Sequence, residues 1–559
     1  MSTNSQPRNL KSIRAIATLG AIALTLSNAV DLQAQGYPRL SSEQFASATA
    51  MLKASDERSD EAFAKALPTI EEWTKRGKPY IPAAALPAEL PQATIPAFPG
   101  AQGGGMYSFG GRGGKVILVT HLNDDGPGSF REACETAGPR IILFNVAGII
   151  HLKDRIRIRA PYVTIAGSTA PGDGVCIAGN TVELETHDII IRHMRFRRGA
   201  TDARDRNDAF GGNPIGNVMI DHVSASWGLD ENMSMYRHMY SPPEGGPDLK
   251  LPTVNITIQY SIFSEGLNTY HHAFGSTIGG LNSTFHHNLW ACNTGRNPSV
   301  GMYGDFTFTN NVLFNYRHRT IDGGDHRSFF NIINNYFKPG PGTPQSPVAY
   351  RILKPESERS KTVFDHFGKA FVSGNFVEGY PEISQDNWAG GVQPDSKAPV
   401  AEVLPKIRVE EPFHHAFLKM EDARSAFDIV LQQAGATMPV RDLVDVRVAE
   451  MVRSGKVAVT EITKSSLAKA ANVKYAQEWI DEMAEGVRLG YITDPEEVGG
   501  YPFYRGQPYV DKDGDGLPDR WERDHGLDPT DATDATGDLN GDGYLNVEDF
   551  INGLDPRVR

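Results

Sequence analysis

Carboxylates gather in two stretches of this chain, and one arginine stands downstream of both. Asp202, Asp205 and Asp208 share one polar segment, Asp230 and Glu231 are adjacent in another, and Arg296 lies in Gly295-Arg296-Asn297-Pro298. Carboxylate oxygens converging from separate segments make a hard site suited to calcium, with open positions for a ligand's own oxygens. Two solvated, charged loops are the plainer alternative. A lone arginine is ordinarily a surface cation or a clamp on an anion. A tighter acidic pattern closes the chain: Asp511, Asp513, Asp515, Gly516, Leu517, Asp519 and Glu522 fill positions 1, 3, 5, 6, 7, 9 and 12 of an EF-hand-like calcium loop. Asp538, Asn540, Asp542, Gly543, Tyr544, Asn546 and Asp549 repeat it, with Asp549 replacing the usual glutamate and weakening the second copy. An acidic, solvated linker is the competing reading of these loops.

An internal repeat must position the first group. Short β-branched or aromatic runs ending in a polar pair recur at Ile189-Ile190-Ile191-Arg192-His193, Val218-Met219-Ile220-Asp221-His222, Ile256-Thr257-Ile258-Gln259-Tyr260, Thr284-Phe285-His286-His287-Asn288, Phe306-Thr307-Phe308-Thr309-Asn310-Asn311 and Asn331-Ile332-Ile333-Asn334-Asn335, with a weaker copy at Phe371-Val372-Ser373-Gly374-Asn375. Taking Ile191, Ile220, Ile258, Phe285, Phe308 and Ile332 as equivalent gives steps of 29, 38, 27, 23 and 24 residues, one solenoid turn each with insertions on one face. Alternating apolar positions read as strands with no long amphipathic helix between them. The expected fold is all-β: a right-handed parallel β-helix with helical N- and C-terminal extensions. Asn288, Asn311 and Asn335 fall at one equivalent place, where stacked amides can bond from turn to turn; independent turn-forming asparagines are the alternative. Arg296 follows its strand on the side where the acidic insertions project, which raises it above an ordinary surface cation.

The flanking regions divide the chain further. Arg8, Lys11 and Arg14 precede an apolar run from Ala15 to Leu26, and Leu32-Gln33-Ala34 offers a cleavage site, so residues 1–34 read as a secretory signal, with an N-terminal anchor as the alternative. That run is too short to span a bilayer. Residues 35–97 read as a helical and then proline-rich segment, 98–400 as the β-helix, 401–509 as a helical tail packed on it, and 510–559 as the calcium repeats. The strand Lys115 to Thr120 and the helix Gly128 to Ala133 resemble a cap over the solenoid's open end. Gly103-Gly104-Gly105 and Gly110-Gly111-Arg112-Gly113-Gly114 precede no long helix and read as turns. A net charge of −13 argues against nucleic acid as a partner. Cys134, Cys176 and Cys292 lack metal-ligand spacing, permit at most one bridge, and read equally well as buried thiols. His222, His271, His272, His286 and His287 read mainly as packed or ladder residues, His272 being the best candidate among them for a substrate contact.

From Phe98 to about Tyr350 the chain resembles the pectate lyases of polysaccharide lyase family one, in particular large secreted bacterial members. The resemblance rests on Asn207-Asp208-Ala209-Phe210-Gly211-Gly212, on Ile220-Asp221-His222-Val223-Ser224-Ala225-Ser226-Trp227-Gly228-Leu229-Asp230-Glu231, and on His286-His287-Asn288-Leu289 with Arg296-Asn297-Pro298. It extends into the tail through Pro439-Val440-Arg441-Asp442-Leu443-Val444-Asp445-Val446-Arg447 and Gly499-Gly500-Tyr501-Pro502. The resemblance implies a secreted or periplasmic, calcium-dependent enzyme that cleaves polygalacturonate by β-elimination. It assigns proton abstraction to Arg296 and calcium binding to Asp208 and Asp230, with Glu231 and Asp205 as further ligands.

Four positions depart from the family pattern. Arg206 and Ser234 stand where metal-binding aspartates are usual, Gly301 stands where a second arginine is usual, and Tyr270-His271-His272 occupies the neighbourhood of a substrate-binding lysine. A monomer acting on an acidic plant polysaccharide is expected. The C-terminal loops, similar to thrombospondin type 3 or dockerin-like repeats, read as structural, with no cohesin-type partner required. A glycoside hydrolase on the same fold, which needs two carboxylates spanning the scissile bond, and a non-catalytic polysaccharide-binding β-helix are the rival readings.

Overall fold

The computed structural model describes residues 42–200, 206–268, 272–357, 366–462 and 486–558. The N-terminal signal reading, Asp202, Asp205 and His271 therefore lie outside the described residues. The chain winds into a parallel β-solenoid with three faces. The first face is a ten-stranded sheet running from Lys115–Val119 to Lys369–Ser373. The second has nine strands, from Gly148–His151 to Phe376–Val377. The third is split into two four-stranded parts, one ending at Met233–Ser234 and the other starting at Thr277–Ile278. Isolated parallel bridges, Glu231 to Phe274 and Met235 to Ile278, carry the stack across the split.

The repeat sets the register of the first face. Ile191 pairs with Ile220, Ile220 with Ile258, Ile258 with Phe285, Phe285 with Phe308, and Phe308 with Ile332. These side chains point inward and are fully buried in one continuous core, because alternate residues of a strand face the same side. Asn288, Asn311 and Asn335 form the expected ladder, which Asn375 and Asn387 extend. Each Nδ2 donates to the next Oδ1 at 2.8–3.1 Å. Each Oδ1 also accepts the preceding asparagine's backbone N–H at 2.9–3.0 Å. Asn311→Ala leaves the buried Asn288 N–H unanswered, so a loss of about 1–3 kcal/mol is expected in chemical denaturation.

Every face has a cover. The helix Ser42–Lys75 lies on the early turns, where Asp56 meets Arg157 at 3.0 Å and Asp60 meets Arg159 at 2.6 Å. Residues 97–111 cross the outside of the first face, and their glycines are close-approach residues as well as turns. The N–H groups of Gly104, Gly105 and Gly111 donate to the hydroxyls of Thr284, Thr257 and Thr164 at 2.9–3.1 Å. A Cβ on Gly105 would fall 2.7 Å from the Thr257 backbone nitrogen. The tail helices Ala423–Gln433 and Leu443–Ser454 bury Val430, Leu431, Val448 and Val452 against Trp227, Ile262, Leu289 and Val312 of the second face. The C-terminal loops seat Leu517, Ala535, Val547 and Ile551 on Ile141, Leu143 and Ala166 of the first face. Cys134, Cys176 and Cys292 are buried free thiols, and burial pushes Cys176 up to about 11 and Cys292 up to about 12. No described helix is long and apolar enough to cross a membrane.

Candidate functional site

The split in the third face opens a groove of about 330 Å³ lined by Asp208, Glu231, Ser234, Tyr236, Arg237 and Arg296, among others. Stacking brings these residues together from distant sequence positions. Phe274 bridges to Glu231 on one side and to Gly295 on the other, which places Arg296 two turns beyond Glu231. Parallel strands lie about 4.8 Å apart, so side chains two turns away meet only if one of them is long. Arg296 is long enough.

Its guanidinium contacts the Glu231 carboxylate through Nη1. It reaches Asp230 Oδ1 at 3.9 Å and lies 4.6 Å from the centre of the Phe274 ring. Glu231 also accepts from the Thr277 hydroxyl at 2.8 Å. Asp208 Oδ1 accepts the Glu231 backbone N–H at 3.2 Å, and the Ser234 side chain hydrogen-bonds the same carboxyl. Burial, and next the neighbouring Asp230, pushes the Asp208 carboxyl well above the usual carboxylate range. Two carboxylates crowded in this way fit a hard divalent cation.

No protein-family model matches the chain. Among curated proteins, Probable pectate lyase C of Aspergillus fumigatus is 33% identical over 472 residues, spanning 82% of this chain and 94% of that protein. The chain belongs to the pectate lyase family. Probable pectate lyase C of Emericella nidulans is 31% identical over 483 residues, covering 85% of this chain and 96% of that one. Among solved structures, Jun a 1, the major allergen from cedar pollen, aligns with a TM-score of 0.41 at 17% identity, covering 60% of this chain and 92% of that chain.

In this pectate lyase scaffold Asp208, Glu231 and Arg296 line one groove, and Asp230 lies behind Arg296 at 3.9 Å. His272 departs from the expected substrate contact. It is only 7% exposed, packs against Phe274 with ring centres 4.3 Å apart, and turns Nε2 toward Asp230 Oδ1 at 3.5 Å. The other histidines stack as rungs: His193 on His222 at 4.8 Å, His222 on Tyr260 at 5.1 Å, and Tyr260 on His287 at 4.8 Å. An oxygen or nitrogen from each of His193, Asp221 and His222 falls within 4.8 Å of the others. The Asp221 oxygens there already accept from Arg192 at 2.8 Å and Gln259 at 2.7 Å.

The pair Tyr236 and Arg237 was not legible in the sequence. Both open a two-stranded hairpin, Arg237–Tyr240 against Leu249–Pro252, inserted at the split in the third face. Gly301 leaves room for the Tyr236 ring: a Cβ there would come within 2.7 Å of Tyr236 Cε2. Arg237 lies 5.0 Å and Lys250 5.2 Å from the centre of that ring. Arg237 Nε also donates to Asn213 Oδ1 at 3.3 Å. The bare glycine and the hairpin together bring a second cation to the groove wall.

Proposed function

We propose that this protein is a secreted, calcium-dependent pectate lyase that cleaves polygalacturonate by β-elimination and leaves 4,5-unsaturated oligogalacturonides. The large secreted bacterial branch with C-terminal calcium loops is kept within this reading. One observation carries it: Arg296 is held against Glu231 and near Asp230 in a groove whose acidic residues come from successive solenoid turns. In this reading Asp208 and Asp230 hold the cation, Glu231 and Asp205 are further ligands, and His271 is a substrate contact.

The proton on C5 of a uronate is too weakly acidic for a side chain to remove without charge stabilisation. When bound, calcium supplies Lewis-acid neutralisation of the uronate carboxylate as negative charge develops. Arg296 faces the reacting sugar and takes the C5 proton. An isolated guanidinium keeps its proton, and Glu231 beside Arg296 strengthens that tendency. Asp230 and Glu231, once they hold calcium, present positive rather than negative charge to Arg296, which lowers the proton affinity of the guanidinium. The C4–O bond then breaks, the C4–C5 double bond forms, and solvent protonates the departing oxygen. Phe274 and His272 fix the Arg296 and Asp230 orientations.

Arg237 takes a second uronate carboxylate. Arg237→Ala is expected to raise KM for polygalacturonate about tenfold with little change in kcat, the lower end of what a charge-assisted hydrogen bond contributes. Steady-state kinetics checks this. Mass spectrometry of the products tests the whole reading. Elimination gives fragments one water lighter than hydrolysis products, and fragments carrying the added water would establish a glycoside hydrolase instead.

A further inference from the structure

In the C-terminal module, Glu522 is a carboxylate that no group among the described residues answers. It is fully buried, and neither of its carboxylate oxygens has a hydrogen-bond partner. Asp513 Oδ2 and Asp534 Oδ1 are buried in the same condition. Burial of an ionised carboxylate is tolerated when a cation completes it. One oxygen from each of Asp515, Glu522 and Asp534 lies within 4.8 Å of the others, and Asp511, Asp513 and Asp515 form a second such group sharing Asp515.

Asp519, at loop position 9, points elsewhere. Its Oδ1 accepts the Lys512 backbone N–H at 2.9 Å, and its Oδ2 pairs with Lys512 Nζ at 2.8 Å and Arg523 at 3.4 Å. The second loop repeats this use of position 9, since Asn546 Oδ1 accepts the Leu539 N–H at 3.1 Å. Position 9 holds the loop's own backbone in both copies. Asp534, not Asp519, gathers with Asp515 and Glu522.

We propose that a calcium ion bound by Asp511, Asp513, Asp515 and Glu522 takes its further carboxylate from Asp534, in the segment between the two loops, and not from Asp519. The proposal rests on the reading of the C-terminal loops as calcium sites. It makes the ion a staple. Asn546 Nδ2 donates to the Asp534 carbonyl at 2.8 Å, and the Ala535 N–H donates to Asp515 Oδ2 at 3.3 Å, so the same short segment joins both loops. Ala535 is 1% exposed and packs with Leu517 in the cluster that seats the module on Ile141 and Leu143. Filling the site therefore fixes the surface by which the module covers the first face.

The test is calcium calorimetry on the full chain, with Asp208→Asn carried in every protein to silence the groove. Asp534→Asn is expected to weaken one site by about tenfold or more, since ligand charge sets affinity in such loops, while Asp519→Asn changes it less than about twofold. Loss of the site in Asp519→Asn, or its retention in Asp534→Asn, overturns the assignment of Asp534 and leaves the calcium reading standing. Absence of calcium binding in the parent overturns both. Hydrogen exchange on the parent needs no variant: calcium is expected to protect the Ala535 amide, and an unchanged rate counts against Asp534 as a ligand.

Discussion

Arg296→Ala is expected to lower kcat on polygalacturonate by about 10³-fold, within the range removed with a general acid or base, while KM moves less than about threefold. Glu231 keeps its hydrogen bond from Thr277 but loses its cationic partner, so the variant is expected to fold with a lower melting temperature than the parent. Arg296→Lys is expected to recover little. A lysine reaches as a single point charge and cannot span Glu231 and Asp230 with a planar fork. Steady-state kinetics in calcium, paired with a thermal melt, separates loss of chemistry from loss of fold. A change confined to KM would make Arg296 a clamp.

The second large effect lies where the tail meets the solenoid. Arg197, fully buried on the second face, donates from Nη2 to both Asp442 oxygens and to Asp445 Oδ1, each at 2.9 Å. Asp442 also accepts from the Tyr504 hydroxyl at 2.7 Å and caps its helix through the Asp445 N–H at 2.9 Å. Asp442→Ala removes the cap and one of the two carboxylates that answer a buried guanidinium, leaving Asp445 alone, so a loss of about 3 kcal/mol is expected in chemical denaturation. Burial pushes the Asp442 carboxyl up, but Arg197 and Arg195 beside it more than reverse this and leave it at about 2. A folded-state value below the unfolded one means the stabilisation is present above about pH 4 and is lost as pH falls toward 2. Asp445, pushed up by burial, works in the opposite direction. Asp442→Asn is expected to flatten the acid-side loss, and denaturation midpoints at pH 5 and pH 3 would show it.

The first face was legible because its strands from His187–Arg192 to Ser328–Ile333 run six residues and keep a strict inward alternation, from Ile191 through Ile332. The second and third faces were not. Strands such as Ser224–Ser226 and Phe210–Gly212 hold three residues, too few for a period-two pattern to declare itself. The groove acids and Arg296 could be read because each follows a recognisable rung, and stacking does the rest. Arg237 could not, since a hairpin inserted between turns has no place in the repeat. Asp534 was hidden because a fixed twelve-residue pattern directs attention to Asp519, while the carboxylate that gathers with Asp515 and Glu522 comes from outside the pattern. His272 was singled out as a substrate contact by its neighbourhood in the chain, which does not disclose its packing against Phe274.

The central claim is elimination at Arg296, and ultraviolet absorbance tests it most directly. The purified protein is mixed with polygalacturonate in calcium, then in excess chelator, beside Arg296→Ala under the same conditions. A conjugated enoate absorbance that grows in calcium, stops in chelator and fails in the variant is the predicted result. Reducing ends that accumulate with no such absorbance would contradict the account.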